Sequence, residues 1–518
     1  MTVVRGSVHR NSYRDSVELM AIAAQLEGLD GVRRAGLVMA TPANLAVLAE
    51  AGLADAATGD PRPNDLVVAL AADDDATATV ALERAASLLA AGTGDAGSPA
   101  DVQVAQTLGE GLAELPDANL VLVSTPGGYA TAEAIRALKR GLNVFLFSDN
   151  VSVEDEVRLK SMAQRRGLLV MGPDCGTAIV GGVPLGFANA VRRGPIGLVG
   201  ASGTGIQQVS SLIHGAGGGV SHAFGTGGRD LDERVGGTTM AAAIDLLLAD
   251  AATSVIVLIS KPPAATVAAR ILAAISRSPK PVVVNFLGGD AADVDAVGAH
   301  PAPTFEAAAR IAVALSRDPS SALEPPNGAW TSPDEALLAR AADAATGLAS
   351  TQRKIQGLYS GGSLAGEAKV VLRAMLGGER HDRILDLGDD EFTVGRPHPM
   401  IDPRLRNEHI VEAASDPTVV ALLLDVVLGY GSHPDPASAM APAIEAAIAT
   451  AASAGRRLPI VASVCGTDLD PQGLARQEGI LAASGAILES SNARAAMFAA
   501  SIAGVVSDAH TPLVGAAD

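Results

Sequence analysis

The sequence predicts an α/β protein built on parallel sheets, and three observations carry that prediction. Apolar runs of strand length alternate with amphipathic helical runs along all 518 residues, the pattern of repeated β-α units. Several apolar runs end in Gly, Ser or Thr just before a helical run, as a strand-to-helix turn requires. Hydrophobic residues make up 48% of the chain and glycine supplies 56 positions, enough for three or four cores at ~100–200 residues per domain.

Residues 1–95 form a small α/β module, with strands in VVRGSV, AGLVMA and DLVVALAA and helical runs at 15–28, 43–51 and 76–91. Residues 96–190 begin with the loop GTGDAGSPADV and continue as a half-domain: LVLVSTPGG, a helix from Ala130 to Arg140, NVFLFS, a helix from Val153 to Arg166, and LLVMGPDCGT. The block 191–320 opens with IGLVGASGTG, passes through VIVLIS and PVVVNF, and closes with the helix after Thr304. A linker occupies 321–350, clearest where Pro, Ser and Gly cluster in 318–333 around Trp330. The block 351–518 holds ILDLG, VVALLLDVVLG, PIVASVCGT and AILES as strands, so that the last two blocks look like similar folds in tandem.

Charge and composition exclude several functions. Lys and Arg number 38 against 57 Asp and Glu, a net −19 that repels polyanions and makes nucleic acid an unfavourable partner. No run approaches ~18 apolar residues and the N-terminus turns polar early, so neither a membrane span nor a secretory leader is expected. Cys175 and Cys465 are far apart with no ligand-spaced histidine, which predicts a cytoplasmic location and no metal site. Small molecules, carboxylates among them, and other protein subunits remain as partners.

The strongest motif is GLVGASGTG, Gly197–Gly205. A strand that ends in Ser202, Gly203 and Thr204 at a helix start aims free N–H groups and the positive helix end at one spot, which suits phosphate or carboxylate; plain N-capping is the alternative. LLLDVVLGYGSHPDP offers a second such turn at Gly429, Tyr430, Gly431 and Ser432, and the two could face one another around one phosphate, or the second could merely close a sheet. AFGTGGRDLDERVGG, with Gly227 and Gly228, suits a backbone nest or an interface loop. Cys175 in GPDCGT is a nucleophile candidate, with a buried thiol the stronger reading.

FTVGRPHPMIDPRLRNEH gathers Arg396, His398, Asp402, Arg404, Arg406, Asn407 and His409 in what reads as a long, Pro-punctuated loop. Guanidinium forks bind carboxylate and phosphate bidentately, and an interface between protein chains is the alternative. His300 and Glu306, in VGAHPAPTFEAA, make a further base or nucleophile candidate, with a turn residue the stronger reading.

In this order the blocks resemble the succinyl-CoA synthetase superfamily, most closely its FdrA branch, over about 117–515. NLVLVSTPGGYATAEAIRALKRGLNVFLFS and LLVMGPDCGT are similar to the second half of the CoA-binding domain found in the synthetase α-subunit. GLVGASGTG, AFGTGGRDL and VIVLIS follow the ligase domain of that same α-subunit. YSGGSLAGEAKVVLRAM, ILDLGDDEF and the Gly429–Ser432 turn resemble the ligase domain that ends the synthetase β-subunit. The resemblance implies a small N-terminal module, a truncated Rossmann-like CoA-binding-type domain and two tandem flavodoxin-like ligase domains. It also implies that the two strand-to-helix turns form opposed helices, which in the synthetases grip a phosphohistidine.

The chain departs from the synthetases where they bind CoA and ATP. The half-domain with their CoA loop is replaced by 1–95, their phosphohistidine motif survives only as GAHPAP around His300, the acidic partner of that histidine gives way to SKPP at 260–263, and the length leaves no room for an ATP-grasp domain. These departures speak against CoA and ATP as cofactors and for a ligand that arrives as phosphate or carbamoyl phosphate. FdrA proteins are linked to ureide (allantoin) catabolism, where with two further subunits they are associated with oxamate carbamoyltransferase. On that reading Ser202, Thr204 and Gly429–Ser432 hold phosphate, Arg396, Arg404 or Arg406 engages the substrate carboxylate, and His398 stands with them. Two readings remain beside it: an ADP-forming acyl-CoA synthetase subunit using CoA and a phosphohistidine, and a non-catalytic scaffold. Self-association of the chain is left open.

Overall fold

The computed structural model describes residues 2–12, 14, 16–56, 59–91, 105–321, 330–377, 382–393 and 397–508. They divide into two units, 1–107 with 393–397 and 108–392 with 398–518.

The first unit carries β1 (Val3–His9), β2 (Val32–Met39) and β3 (Leu66–Ala72) in the order β1-β3-β2, and both pairings are antiparallel. A parallel sheet is the sequence expectation, and the difference has a simple cause. The helix Ser16–Glu27 carries the chain from β1 to β2 in the same direction, but β3 returns between them and separates the parallel pair, a split β-α-β unit. The middle strand is covered on both faces: Leu66 and Val68 share a core with Leu19, Ile22 and Leu26, while Val67 and Ala69 pack with Leu48 and Leu53. This is why DLVVALAA is continuously apolar rather than alternating.

The second unit holds three sheets. The parallel strands β4 (Leu120–Val123), β5 (Asn143–Leu146) and β6 (Val170–Met171) form the smallest, in chain order. A hairpin, β7 (Thr177–Val180) and β8 (Val183–Gly186), joins antiparallel to the parallel strands β9 (Arg193–Gly200), β10 (Val220–Gly225), β11 (Val255–Ser260), β12 (Val282–Phe286) and β13 (His300–Pro301) in the order β13-β12-β11-β9-β10-β7-β8. The third sheet is wholly parallel: β14 (Lys354–Tyr359), β15 (Arg383–Asp386), β16 (Val419–Val427), β17 (Ile460–Cys465) and β18 (Ile487–Glu489), in the order β15-β14-β16-β17-β18.

One hydrophobic core crosses the last two sheets, joining Ile206, Val209 and Phe305 to Leu364, Val371 and Phe498. Alanine makes the approach possible. Ala307, Ala308 and Ala312 on the helix Phe305–Arg317, and Ala495, Ala496, Ala499 and Ala503 on the helix Asn492–Asp508, are buried in that core. Among the described residues no helix is long and apolar enough to cross a membrane.

AFGTGGRDL packs as a loop on GPDCGT. Gly227 has φ +85°, and a Cβ there would collide with the Pro173 carbonyl, so Gly227 and its neighbour Gly228 belong to the packing of this loop on GPDCGT. Behind them Lys160 Nζ is buried between Glu156 and Asp230, 2.7 Å from each, and also donates to Thr226 O at 3.0 Å. Asp230 in turn accepts Thr239 N and Met240 N at the start of the helix Thr238–Ala249. One ammonium thus ties the helix Val153–Gln164 to the seven-stranded domain. Lys160→Met leaves the buried Asp230 without its cation and Glu156 with only the part-exposed Arg229, 3.2 Å away, and is expected to cost roughly 3–5 kcal/mol. Native-state hydrogen exchange of the helices Val153–Gln164 and Thr238–Ala249 checks it, and unchanged protection would refute it.

Candidate functional site

In both large sheets the strand order runs second-first-third-fourth-fifth, so the chain reverses its direction of winding between β9 and β11 and again between β14 and β16. Ligands of open α/β sheets bind outside the carboxyl ends of the strands at such switch points. Here the two switch points meet each other. β9 ends at Gly200, and Ser202 caps the helix Gly203–Gly215 by accepting Gly205 N at 3.0 Å. β14 ends at Tyr359, and the helix Gly362–Leu376 starts from Gly361. The Ser202 hydroxyl donates to Ser363 Oγ at 2.5 Å, and a Cβ on Gly361 would lie 2.9 Å from the Thr204 methyl. Two positive helix ends, one from each domain, are therefore aimed at one spot.

The partner of Ser202–Thr204 is thus Ser360–Ser363, not Gly429–Ser432. The latter turn is filled by the chain's own segment 187–190: Tyr430 N donates to Ala188 O at 2.9 Å, Gly429 N donates to Gln472 Oε1 at 3.1 Å, and the Phe187 ring lies 2.9 Å from where a Gly431 Cβ would stand. Asn189 secures the segment through Leu428 O at 3.0 Å and Asp470 Oδ2 at 2.8 Å. The N–H groups of Gly429 and Tyr430 are thus taken and are not free for an anion. Ser432 Oγ is buried without a hydrogen-bond partner.

The start of the second helix is held by carboxylates. Asp425, in the middle of the otherwise apolar β16, accepts Ser360 N at 2.7 Å, Gly361 N at 2.8 Å and the Ser360 hydroxyl at 3.0 Å. Burial pushes Asp425 up from the ordinary carboxylate range, and Arg406, 2.9 Å away and also buried, opposes that rise. Arg406 donates besides to Asp425 O and Met440 Sδ, so the expectation that it grips a substrate carboxylate is corrected: it grips the protein's own. Arg404 likewise spends its fork on Asp402, at 2.6–3.0 Å. The expected loop also ends early, because Pro403 starts the helix Arg404–Ala413. Asn407 donates from it to Ala439 O, and His409 lies 3.2 Å from Glu412. Arg396 lies outside the described residues.

Asp386, at the end of β15, reaches the same helix start. Its Oδ1 accepts Gly388 N at 3.0 Å, and a Cβ on Gly362 would collide with its Oδ2. Burial first, and then the charges of Asp425 and Asp389, push Asp386 up to about 6, with Lys261 pulling the other way. Lys261 is exposed and follows β11, so it approaches from the other domain. His398 packs across Gly388, with Nε2 2.5 Å from where a Cβ would stand. Burial and the charge of Arg406 hold His398 down at about 4, which keeps it neutral. Met400 N donates to its Nδ1 at 3.2 Å, so the ring hydrogen sits on Nε2.

Two candidates lie elsewhere. Cys175 is fully buried and pushed up to about 12 by desolvation, which removes it as a nucleophile. His300 belongs to the edge strand β13 and lines a cavity of about 860 Å³ with Phe286, Asp290, Trp330, Val370 and Ala374. Val370 is two turns, about 10 Å, along its helix from Ser363. The residues missed in the sequence, Ser360–Ser363, Asp386, Gly388, Asp425 and Lys261, had a signal: YSGGSLAG repeats the strand-Gly-Ser-helix grammar of GLVGASGTG, and an Asp interrupts an apolar strand.

Asp386 gives a stability test. The folded state holds its proton more tightly than the unfolded chain, whose value is 3.8, so the ionised carboxylate destabilises the fold above pH 6 and the effect vanishes below about pH 4. Asp386→Asn is expected to stabilise the chain at about pH 8, by up to about 3 kcal/mol, with the gain gone by about pH 4. Urea midpoints at the two pH values decide it.

Family models match three parts of the chain: CoA-ligase over 358–502, CoA binding domain over 191–288, and AllF, heavy metal-associated domain over 1–104. A heavy metal does not fit the last block, which has no cysteine and a single histidine, His9; among the described residues no group of three His, Cys, Asp or Glu could hold an ion. A CoA diphosphate needs a helix start with free N–H groups. The turn after β4 does not fit one, because a Cβ on Gly127 would collide with the carbonyls of Asp149 and Asn150.

Uncharacterized protein YahF of Escherichia coli (strain K12) is 41% identical over 512 residues, 94% of this chain and 96% of that one. Succinate–CoA ligase [ADP-forming] subunit alpha-2 of Trichomonas vaginalis is 32% identical over 117 residues, 22% of this chain and 38% of that one. The dinucleotide-forming acetyl-coenzyme A synthetase 1 of Ca. Korarchaeum cryptofilum, solved with phosphate and ADP, aligns with a TM-score of 0.33 at 17% identity, over 76% of this chain and 83% of that one. By its near full-length relative and the CoA-ligase and CoA-binding domains it carries, the chain belongs to the FdrA family of the succinyl-CoA synthetase superfamily.

Proposed function

We propose that this chain is the phosphate-holding subunit of a multi-subunit acyl or carbamoyl transferase acting in ureide catabolism, where carbamoyl passes between oxalurate and phosphate to give oxamate and carbamoyl phosphate. The observation that carries the reading is the meeting of two helix N-termini at Ser202 and Ser363. The phosphate is held by Ser202, Gly203 and Thr204 from one domain and by Gly362 and Ser363 from the other. The same N–H groups stabilise the negative oxygen that develops when carbamoyl is attacked. His398 adds a neutral ring N–H beside them. The acyl-CoA synthetase alternative needs a phosphorylated histidine between the helix ends, and His300 stands instead in an edge strand by the separate cavity.

Thermal unfolding of the chain with phosphate, carbamoyl phosphate, CoA and Mg-ATP, each added alone, tests the reading. A ligand at 100 times its Kd adds roughly 2.7 kcal/mol. Phosphate and carbamoyl phosphate are expected to stabilise, and the pair Ser202→Ala and Ser363→Ala to abolish the effect, with the ligand-free Tm lowered by the lost helix cap. Stabilisation by CoA without phosphate would replace this reading with the synthetase one.

A further inference from the structure

Asp386 occupies the place where the phosphate's charge is to be received. Its carboxyl lies over Gly362, the first residue of the helix whose next residue is Ser363, and Gly362 and Gly388 make room for it: a Cβ on the first would collide with Oδ2, and the N–H of the second donates to Oδ1. The charged groups around it come from every neighbouring element. Asp425 on β16 is matched by Arg406, Asp389 follows on its own loop, Lys261 approaches from the end of β11, and His398 beside Gly388 is neutral. An ionised Asp386 and a phosphate at Ser363 would be two anions on one helix start, with the exposed Lys261 the cation that faces them from the other domain. A protonated Asp386 would instead have an O–H to donate.

We propose that Asp386 meets the phosphate as a protonated, hydrogen-bond-donating carboxyl, so that each anion entering the site brings one proton with it from solvent. The proposal rests on the phosphate-site reading above and names the residue that sets the pH at which that site fills. Asp386 is pushed up to about 6 before any ligand arrives, so the proton is available just below neutrality.

Calorimetric titration of the full chain with sulfate tests it, because sulfate stays a dianion from about pH 5 to about pH 8 and any proton taken up comes to the protein; inorganic phosphate is the second probe. Wild-type affinity is expected to be level on the acid side and to fall about tenfold per pH unit above about 6. Asp386→Asn is expected to bind sulfate with the same affinity across the range. Lys261→Met is expected to move the wild-type bend to higher pH, a change that a structural role for Asp386 would not produce and that does not depend on the folding of Asp386→Asn. A wild-type affinity independent of pH, or an Asp386→Asn variant that keeps the wild-type slope, overturns the proposal while leaving the phosphate site standing, provided Ser202→Ala with Ser363→Ala still abolishes binding. No binding of either anion by the wild type at any pH overturns both.

Discussion

The buried pair of Asp425 and Arg406 is the constraint on which the candidate site depends. An unpaired carboxylate in the centre of an apolar strand would be prohibitively costly, and a guanidinium pair without further hydrogen bonds barely repays its desolvation. Here the remaining lone pairs of Asp425 are used by Ser360 N, the Ser360 hydroxyl and Gly361 N. The pair therefore does more than neutralise itself. It fixes where β14 turns into its helix and anchors the helix Arg404–Ala413 against β16. That turn is the one Ser202 meets from the other domain, so a charge pair inside one sheet determines the geometry between two.

Keeping two helix ends of the same sign together needs more than that pair. The common core of alanines and aliphatics supplies area, and Glu367 supplies direction. It leaves the second helix to accept Phe305 N, at the start of a helix of the first domain, at 2.6 Å, and Asn492 Nδ2 at 2.8 Å. Burial pushes Glu367 up to about 7. The segment 187–190 adds a strap from the first domain across the carboxyl ends of β16 and β17, through Ala188, Asn189 and Ala190. Gly429 and Gly431, with φ of +104° and +80°, serve that strap: their conformation and missing side chains admit Ala188 and Phe187.

How much of this was legible in the sequence follows from the range of each contact. The alternation of strands and helices, the tandem blocks and the Ser202 turn are local patterns, and the structure reproduces them. The antiparallel N-terminal sheet was not legible, because helical crossovers between strands leave open that a third strand inserts between a parallel pair. Nor was the choice between Ser360–Ser363 and Gly429–Ser432 as partner for Ser202. Both are glycine-rich strand ends before a helix, and what separates them is that Ala188 and Asn189 fill one from about 240 residues away. Arg406 misled for the same reason. Its type announces a carboxylate partner, and only the packing of the helix after Pro403 shows that the partner is Asp425.

The proposed site for a divalent anion in a chain of net charge −19 poses an electrostatic problem that its local arrangement answers. Long-range repulsion is screened within roughly a Debye length, about 8 Å at physiological salt, whereas the helix ends act within their first turn. Before a ligand arrives, two positive helix ends, Arg406 and Lys261 face the carboxyls of Asp425 and Asp386, so the site is near balance without any bound ion. An arriving dianion upsets that balance by two charges, and the group best able to give way is the one least firmly ionised. Asp425 is held by a guanidinium and three donors. Asp386 has one backbone donor and the exposed Lys261 ammonium, and it is the carboxyl whose charge the structure can most easily surrender.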